Sequence, residues 1–593
     1  MAQGIGYPLL PNKQGNWNYE LVEDTAGGIN TYVRSDKLES NQFLTLTNLV
    51  VKKKQLQKDT GYTLFGSTVR GFPQATFEFD KKNGTSELAL VTTETLYRWR
   101  VGQWQFVPAR TPTTTTNTYT AGATAIHVAS ASGITIGTYV GIILADGTEF
   151  QVLVDNVVGV VLTIHNGLPV GPDILNGALV IPALVLHGVI DKRVIIDTYP
   201  ATDWMIFTNG VDTPKRYDGL DCVELPGLVD VGIVVCRYIL VFNVSIFLLN
   251  CTEGGEAHPE RVRRSDIGAP AIWNSGAAGY DELFDHPSPI NAGKVLGSYL
   301  IVYSERAIAR GQYVGATDVV YLWSTTIVGE GAISSNSVIA INDYHLFFGT
   351  TNIFKYIGDF TLTKVGDPIY YNVFGALGNL DISKKSMIFG TFVEELNEAW
   401  FFYPAGAAEY SDTLLRYNVE DHTWAIRKFD DEIIGYGLYQ TSLTRLWNTL
   451  TGTWADQKYP WNSRVLLANS PLVHLCDARE NHVYQYDYRS IKDWQSDIPF
   501  VAESKDFFIP DGHLRIDMLE CWMSGTDVAI QYSMDSGLTW KNFDHVLVTQ
   551  SPIGRVRLWM QDIGLSIRFR WSGVCPDFVL SWYGFSYKKE SLY

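Results

Sequence analysis

The side chains of this sequence that could do chemistry lie in a few short stretches. Residues 533–540, "SMDSGLTW", follow the pattern Ser-x-Asp-x-Gly-x-Thr-Trp. At that spacing the Asp535 carboxylate can accept backbone N–H groups across a tight turn, Gly537 can take a positive φ, and Trp540 can pack beneath the hairpin. Two acidic clusters, "YDELFDHP" (Tyr280 to Pro287) and "VEELNEAW" (Val393 to Trp400), carry the residue type that glycoside hydrolysis needs in facing pairs. Nothing in the sequence brings members of the two clusters together, and solvated loops or interface charges are the simpler account. "VEDHTW" (Val419 to Trp424) reads as a turn closing a hairpin.

Other chemistries lack their patterns. The histidines are singletons, with neither His-x-His nor His-x-x-x-His, and the six cysteines are scattered with no pair two residues apart. Neither a Gly-x-Ser-x-Gly elbow nor a phosphate-binding glycine loop is present. Three arginines in "PERVRRSDIGAPAIW" (Pro259 to Trp273) could meet an acidic surface or a phosphate, but pairing with nearby Glu260 and Asp266 is the simpler reading. The 533–540 pattern resembles the Asp box of sialidases, where it is structural and lies away from the active site; here it occurs once. The expectation is therefore a chain without enzymatic activity: no catalytic, metal or cofactor-binding residues, and no cofactor.

The net charge is −17, from 46 Lys and Arg against 63 Asp and Glu. A protein that grips DNA through its phosphates needs a positive footprint, and this chain has no such excess. Lys52, Lys53, Lys54 and Lys58 form a local exception that reads as a solvated strand edge or turn. The cysteines read as buried thiols made in a reducing cytoplasm. No signal peptide is visible. "VGIVVCRYILVFNVSIFLLN" (Val231 to Asn250) is long enough to span a bilayer. Arg237 and Asn243 interrupt it, however, and two buried strands with a break near Asn243 to Ser245 explain it without any membrane-spanning segment.

The elements that must position these residues are strands. Aromatics make up 13% of the chain, and glycine punctuates it every few residues, which favours a pleated, half-buried architecture. One layout recurs: an apolar strand, a small polar turn, then a strand carrying Tyr or Trp. It is seen at Leu88 to Val107, Trp204 to Leu225, Tyr299 to Gly315, His345 to Gly366 and Ala399 to Ile426, with Val231 to Asn250 as a sixth instance. Hairpins recurring at such spacing point to a β-propeller, because one twisted four-stranded sheet cannot cover both of its apolar faces and neighbouring blades can. An array of β-sandwiches is the alternative. "TPTTTTNTYTAG" (Thr111 to Gly122) opens a stretch without Lys or Arg up to Lys192, read as a small inserted β-domain. After about residue 490 evenly alternating strands run to the C-terminus, as in a β-sandwich. The expected class is all-β: a propeller with an inserted small β-domain and a C-terminal β-sandwich-like domain. The divisions are 1–75 (leader and first strands), 76–110 (first propeller hairpins), 111–189 (insertion), 190–490 (blades) and 491–593 (sandwich).

The leader carries a further pattern: Gly27, Gly28 and Asn30, then Asn41 and Gln42, Asn48 and Val50, and Lys58 before Gly61. It resembles the leader of tail structural proteins of tailed bacteriophages, in particular the nozzle, or tail tubular, protein of short-tailed phages. "RVRRSDIGAPAIW" and "IRFRWSG…SWYGFSYKKES" are similar to passages of those proteins too. The resemblance implies a virion tail protein made in the bacterial host cytoplasm and assembled with itself as a ring of six below the head-to-tail adaptor. Tail fibre or tailspike proteins would attach to it, and phage DNA would pass through without sequence-specific binding. Gly27, Gly28, Asn30, Asn41, Gln42 and Asn48 would then belong to an assembly arm. Charge agrees, since an acidic lining leaves a duplex hydrated and free to slide, and six copies would bring roughly −100 charges. The alternatives are a receptor- or glycan-binding virion protein, with the insertion as binder, and a propeller glycoside hydrolase.

Overall fold

The computed structural model describes residues 17–283, 285, 288–315, 319–376, 378–440, 471–487, 490–508 and 512–590. Parts of some sequence patterns lie outside these residues: three positions of the acidic cluster at 280–287, residues 1–16 of the leader division, 441–470 of the blade division, and 509–511 and 591–593 of the sandwich division.

The chain is an all-β protein built on a propeller. Four antiparallel four-stranded sheets succeed one another between Ile195–Tyr199 and Thr363–Lys364; they are numbered here blades 2 to 5 and begin at Ile195, Ile233, Ile290 and Val338. Blade 1 runs from Pro73–Asp80 to Gln103–Phe106. Blade 6 runs from Phe389–Val393 to the first part of the long strand Thr423–Gln440. Blade 7 starts with the second part of that strand and adds Pro471–Asp477 and Val483–Tyr486. Its outermost strand, Tyr62–Leu64, comes from the leader. The ring closes where Tyr436 of blade 7 lies beside Ala75 of blade 1. A strand borrowed from the far end of the chain thus fastens the last blade just before the first begins.

Each blade forms because its strands are apolar on both faces. In "YLIVYS" (Tyr299–Ser304) Leu300, Ile301, Val302 and Tyr303 are fully buried, each Leu or Ile stabilising by about 1.5–3 kcal/mol. The five recurring segments occupy the later strands of blades 1, 2, 4, 5 and 6. The apolar run at 231–250 is two strands of blade 3, Ile233–Phe242 and Ser245–Glu253. They are joined through Asn243 and Val244 at φ 47° and 56°, the left-handed pair of a tight hairpin turn. Among the described residues no helix is long and apolar enough to cross a membrane.

Between blades 1 and 2 a separate six-stranded sheet occupies Thr113–Thr114 to Leu179–Pro182, around a core including Ile126, Val140, Ile142, Val154 and Leu162. The C-terminal sandwich is organised by the long strand His513–Ser533. Its first part pairs with Val548–Gly564 on one side and Val579–Glu590 on the other, and its last residues pair with Ser566–Gly573. The leader completes both sheets, since Asn18–Val22 pairs with Val579–Glu590 and Phe43–Thr47 with Phe500–Ser504. The sandwich is therefore made from both ends of the chain. All six cysteines are buried free thiols.

Candidate functional site

First strands of all seven blades surround the propeller axis and enclose a cavity of about 520 Å³, into which Thr76, Glu78, Tyr238, Lys294, Thr391 and Tyr436 contribute. Lys294 sits in the strand Ile290–Leu296, whose other polar side chain is Asn291. The Tyr238 phenol, with Tyr436 and Asp197, holds its ammonium above the ordinary lysine range against the opposing effect of burial. Burial raises the Asp197 carboxyl, while N–H donors from Val241 and Thr198, each at 2.7 Å, pull it back.

Arg193 lines the same cavity where the inner strands begin. It is 2% exposed, donates from Nη2 to the Met387 carbonyl at 3.0 Å, and lies 4.7 Å over the Phe389 ring. Burial pushes its guanidinium down to about 9. Glu78 and Glu394 lie toward the opposite end. The cavity wall thus mixes apolar side chains with polar ones, includes cations and carboxylates, and is of a size to admit a small ligand. Among the described residues no group of three or more His, Cys, Asp or Glu side chains could hold a metal ion.

A second concentration of charge is fully interior. Asp59 of the leader pairs with Arg416 at 2.6 Å and with Arg427 at 3.5 Å, and accepts from the Tyr486 hydroxyl at 2.7 Å. Arg416 also holds Glu398 at 2.7 Å, and Arg427 holds Asp493 at 2.5 Å. Burial alone would raise Asp59, but the two guanidiniums outweigh it and hold the carboxyl well below the usual range. Burial lifts Asp493 to about 7, with Arg427 opposing. This network ties the leader, blades 6 and 7 and the segment before the sandwich into one unit.

Several sequence-level readings change here. The arginines of 259–273 do not pair with Glu260 and Asp266. Instead Arg261 bridges Glu253 and Glu282, Arg263 takes Glu253, and Arg264 takes Asp281. Strand pairing sets Arg261 opposite Glu282 and Arg263 opposite Tyr280, so the basic stretch and the described part of the acidic cluster at 280–287 neutralise each other. In the other cluster Glu398 is consumed by Arg416 and by the Trp400 indole N–H at 2.8 Å. Lys53 and Lys54 form an exposed turn, but Lys58 is only 7% exposed and bonds the carbonyls of Ile498 and Val574. Burial lowers its ammonium to about 8.

The residues singled out in the leader all engage the chain itself. The Gly27 N–H donates to the Asn41 carbonyl at 3.1 Å, and the Asn41 amide donates to Asp24 at 2.9 Å. Gly28 has φ 68°, and a Cβ there would lie 2.9 Å from Thr423. The Asn30 amide donates to Gln42 at 3.1 Å. Asn48, at φ 57°, donates to the Pro499 carbonyl at 2.6 Å and accepts from the Lys428 N–H at 2.7 Å. It thereby bonds the sandwich side and blade 6 at once.

In the 533–540 turn Asp535 accepts from the Thr539 N–H at 2.8 Å and from the Ser533 hydroxyl at 2.7 Å. It also accepts from the Thr539 hydroxyl, and these bonds, that hydroxyl first, lower its carboxyl to about 2. Gly537 has φ 91°. Trp540 is half-buried and carries the Arg570 guanidinium 3.7 Å over its ring. The turn lies in the sandwich, away from the axis. The axial residues Arg193, Asp197, Tyr238 and Lys294 carry no local signal in the sequence, since Arg193 follows Asp191 and Lys192, Asp197 precedes Thr198, Tyr238 follows Arg237 and Lys294 shares its strand with Asn291.

No protein-family model matches the chain, and no curated protein matches it. Solved structures with a similar arrangement include the phage phi92 endosialidase, at 10% identity and a TM-score of 0.22, over 56% of this chain and 63% of that one. They also include an exo-β-1,3-galactanase from Phanerochaete chrysosporium, at 7% identity and a TM-score of 0.23, over 66% and 95%. A third is AztD from Citrobacter koseri, at 10% identity and a TM-score of 0.27, over 71% and 94%. The chain spans less than two thirds of the endosialidase's length. A glycoside hydrolase is matched as well, at 11% identity and a TM-score of 0.19, over 64% and 94%. The expectation of a chain without enzymatic activity is corrected by these matches, three of which are to glycan-cleaving enzymes, and it is not carried forward.

Proposed function

We propose that this propeller protein is a structural subunit of a short-tailed phage nozzle, a ring attached below the head-to-tail adaptor that conducts DNA and supports fibres. The observation that carries the reading is the leader. Among the residues that carry the resemblance, Gly27, Asn30, Asn41 and Gln42 bond the leader to itself, Gly28 packs against Thr423 of blade 6, and Asn48 bonds both blade 6 and the segment before the sandwich. The shared pattern thus corresponds to a mechanical device that stiffens a subunit against load. The conduit in this reading is the ring's channel, not the propeller axis, and the chain's net charge of −17 suits an acidic lining. Light-scattering mass measurement and negative-stain imaging, with and without adaptor, test it. Ring particles are expected, and a chain that stays monomeric in both conditions overturns it.

A second reading, a glycan-binding or glycan-cleaving virion protein, is favoured by the axial cavity, whose wall includes Glu78, Glu394 and Lys294. Incubation with capsular and sialylated glycans tests it. Binding or turnover lost in Glu78→Gln or Glu394→Gln supports it, and neither being detectable at millimolar glycan removes it.

A further inference from the structure

Arg261, Arg263, Arg264, Arg416 and Arg427 are buried arginines that each hold a carboxylate at 2.5–2.8 Å. Arg193 is buried as deeply and holds none among the described residues. The Nε and Nη2 side of its guanidinium faces backbone, at the Ser386 carbonyl (3.5 Å) and the Met387 carbonyl (3.0 Å), and its plane lies over the Phe389 ring. Nη1, on the other side, has no hydrogen-bond partner among the described residues, and Arg193 lines the axial cavity. Nothing nearby balances this charge. Burial keeps the Cys476 thiol protonated, the Arg237 guanidinium repels Arg193, and the exposed Asp191 opposes that repulsion with a smaller effect. A buried charge without a counter-charge is among the most costly groups that a fold can carry, so its retention beside a cavity points to a ligand that supplies the opposite charge.

The rest of the wall narrows the chemical class. From Arg193 the cavity, of about 520 Å³, continues past Phe389, Val338, Ile339 and Ile434 to Tyr238 and Tyr436. The other cation on the wall, Lys294, is already engaged by the Tyr238 phenol. One guanidinium edge is thus left to receive charge, and Glu78 and Glu394 toward the far end repel a ligand of high negative charge. These features suit a singly charged anion with an apolar or aromatic body, which is an organic carboxylate. A phosphate dianion brings more charge than the free edge neutralises and leaves the apolar wall uncovered.

We propose that the axial cavity is a binding site for a small organic monocarboxylate, with the carboxylate on Arg193 Nη1 and the body against Phe389 and the apolar wall. The site is internal to one propeller. It therefore rests on neither the ring reading nor the glycan reading, and either can fail without it.

The test is isothermal titration calorimetry of the full chain with sodium benzoate, benzamide and sodium phosphate at constant ionic strength. Benzamide has the same body as benzoate without the charge. Benzoate is expected to bind at least about tenfold more tightly than benzamide or phosphate, the worth of one charge-assisted hydrogen bond. Arg193→Met is expected to weaken benzoate at least about tenfold, while Glu78→Gln leaves it within about twofold. Arg193→Gln, which can still donate to the Met387 carbonyl, takes the place of Arg193→Met if circular dichroism shows that the methionine disturbs folding. Benzoate affinity unchanged in the folded Arg193 variant overturns Arg193 as the anchor. Phosphate bound as tightly as benzoate overturns the organic carboxylate as occupant, and so does benzamide bound equally well. Benzoate binding lost in Glu78→Gln places the ligand at the opposite end and overturns the site as drawn. No heat from benzoate at millimolar concentration overturns the proposal and leaves the ring and glycan readings to their own tests.

Discussion

Arg416 Nη1 of blade 6 lies 2.6 Å from the Asp59 carboxylate of the leader, across 357 residues of sequence. Both side chains are almost wholly excluded from solvent, at 3% and 1% exposure. The bond couples the strap that crosses the sandwich to the propeller it closes.

Asp59→Asn should therefore destabilise the protein strongly. It leaves Arg416 and Arg427 facing each other with one carboxylate fewer, and removing one member of a buried pair costs about 3–5 kcal/mol. Because the folded carboxyl is depressed, its contribution is present above the unfolded value of 3.8 and is lost as pH falls through the lower folded value. Urea unfolding at pH 7 should show the loss in the midpoint, and at pH 3 the gap between variant and wild type should narrow.

Gly61→Ala tests the borrowed strand of blade 7. A Cβ at Gly61 would stand 1.8 Å from the Lys492 carbonyl oxygen, a backbone atom that cannot step aside cheaply. Overpacking of this kind costs about 1–3 kcal/mol. Since the next residues, Tyr62–Leu64, form the outer strand of that blade, hydrogen exchange should rise first at Val483–Tyr486. Uniform protection with an unchanged melting midpoint would mean that the strand does not hold the ring shut.

Glu149, in the inserted domain, is 8% exposed and accepts the Phe106 N–H of blade 1 at 2.9 Å. Burial lifts its carboxyl to about 7, against those hydrogen bonds. Below the ordinary value of 4.5 it is protonated whether folded or not. Between 4.5 and about 7 the unfolded chain ionises first, so stability is lost as pH rises through that window. Glu149→Gln should stabilise by roughly 1–3 kcal/mol at pH 8 and have little effect at pH 4. Parallel melting curves at the two pH values measure it, and an equal shift at both would show that ionisation is not the cause.

Arg193→Met gives the contrast to Asp59. Its guanidinium is buried beside a carbonyl and a ring, with Nη1 unpartnered among the described residues. Replacing a poorly compensated buried charge by an apolar chain of similar length is close to neutral or stabilising. Its urea midpoint should stay within about 1 kcal/mol of wild type, or rise. A loss as large as that of Asp59→Asn would show that Arg193 has a bond partner of comparable strength.

The sequence by itself determined what depends on local composition. Alternating apolar strands, aromatic hairpin partners and left-handed turn residues such as Asn243 specify blades, because each strand's two faces must be covered wherever the chain goes. The absence of Lys and Arg from Thr111 to Asp191 marks the insertion, and spacing alone sets the Asp535–Gly537 turn. Pairings over hundreds of residues were decided only by tertiary structure. That Tyr62–Leu64 would complete blade 7, that Lys58 would be buried beneath the sandwich, and that Arg261 would meet Glu282 rather than Glu260 all follow from strand register. So does the gathering of Arg193, Tyr238 and Lys294 at one axis. A charge in an apolar strand costs little to write into a sequence and much to bury, so its partner is chosen by whichever blade closes over it, and no local pattern carries that choice.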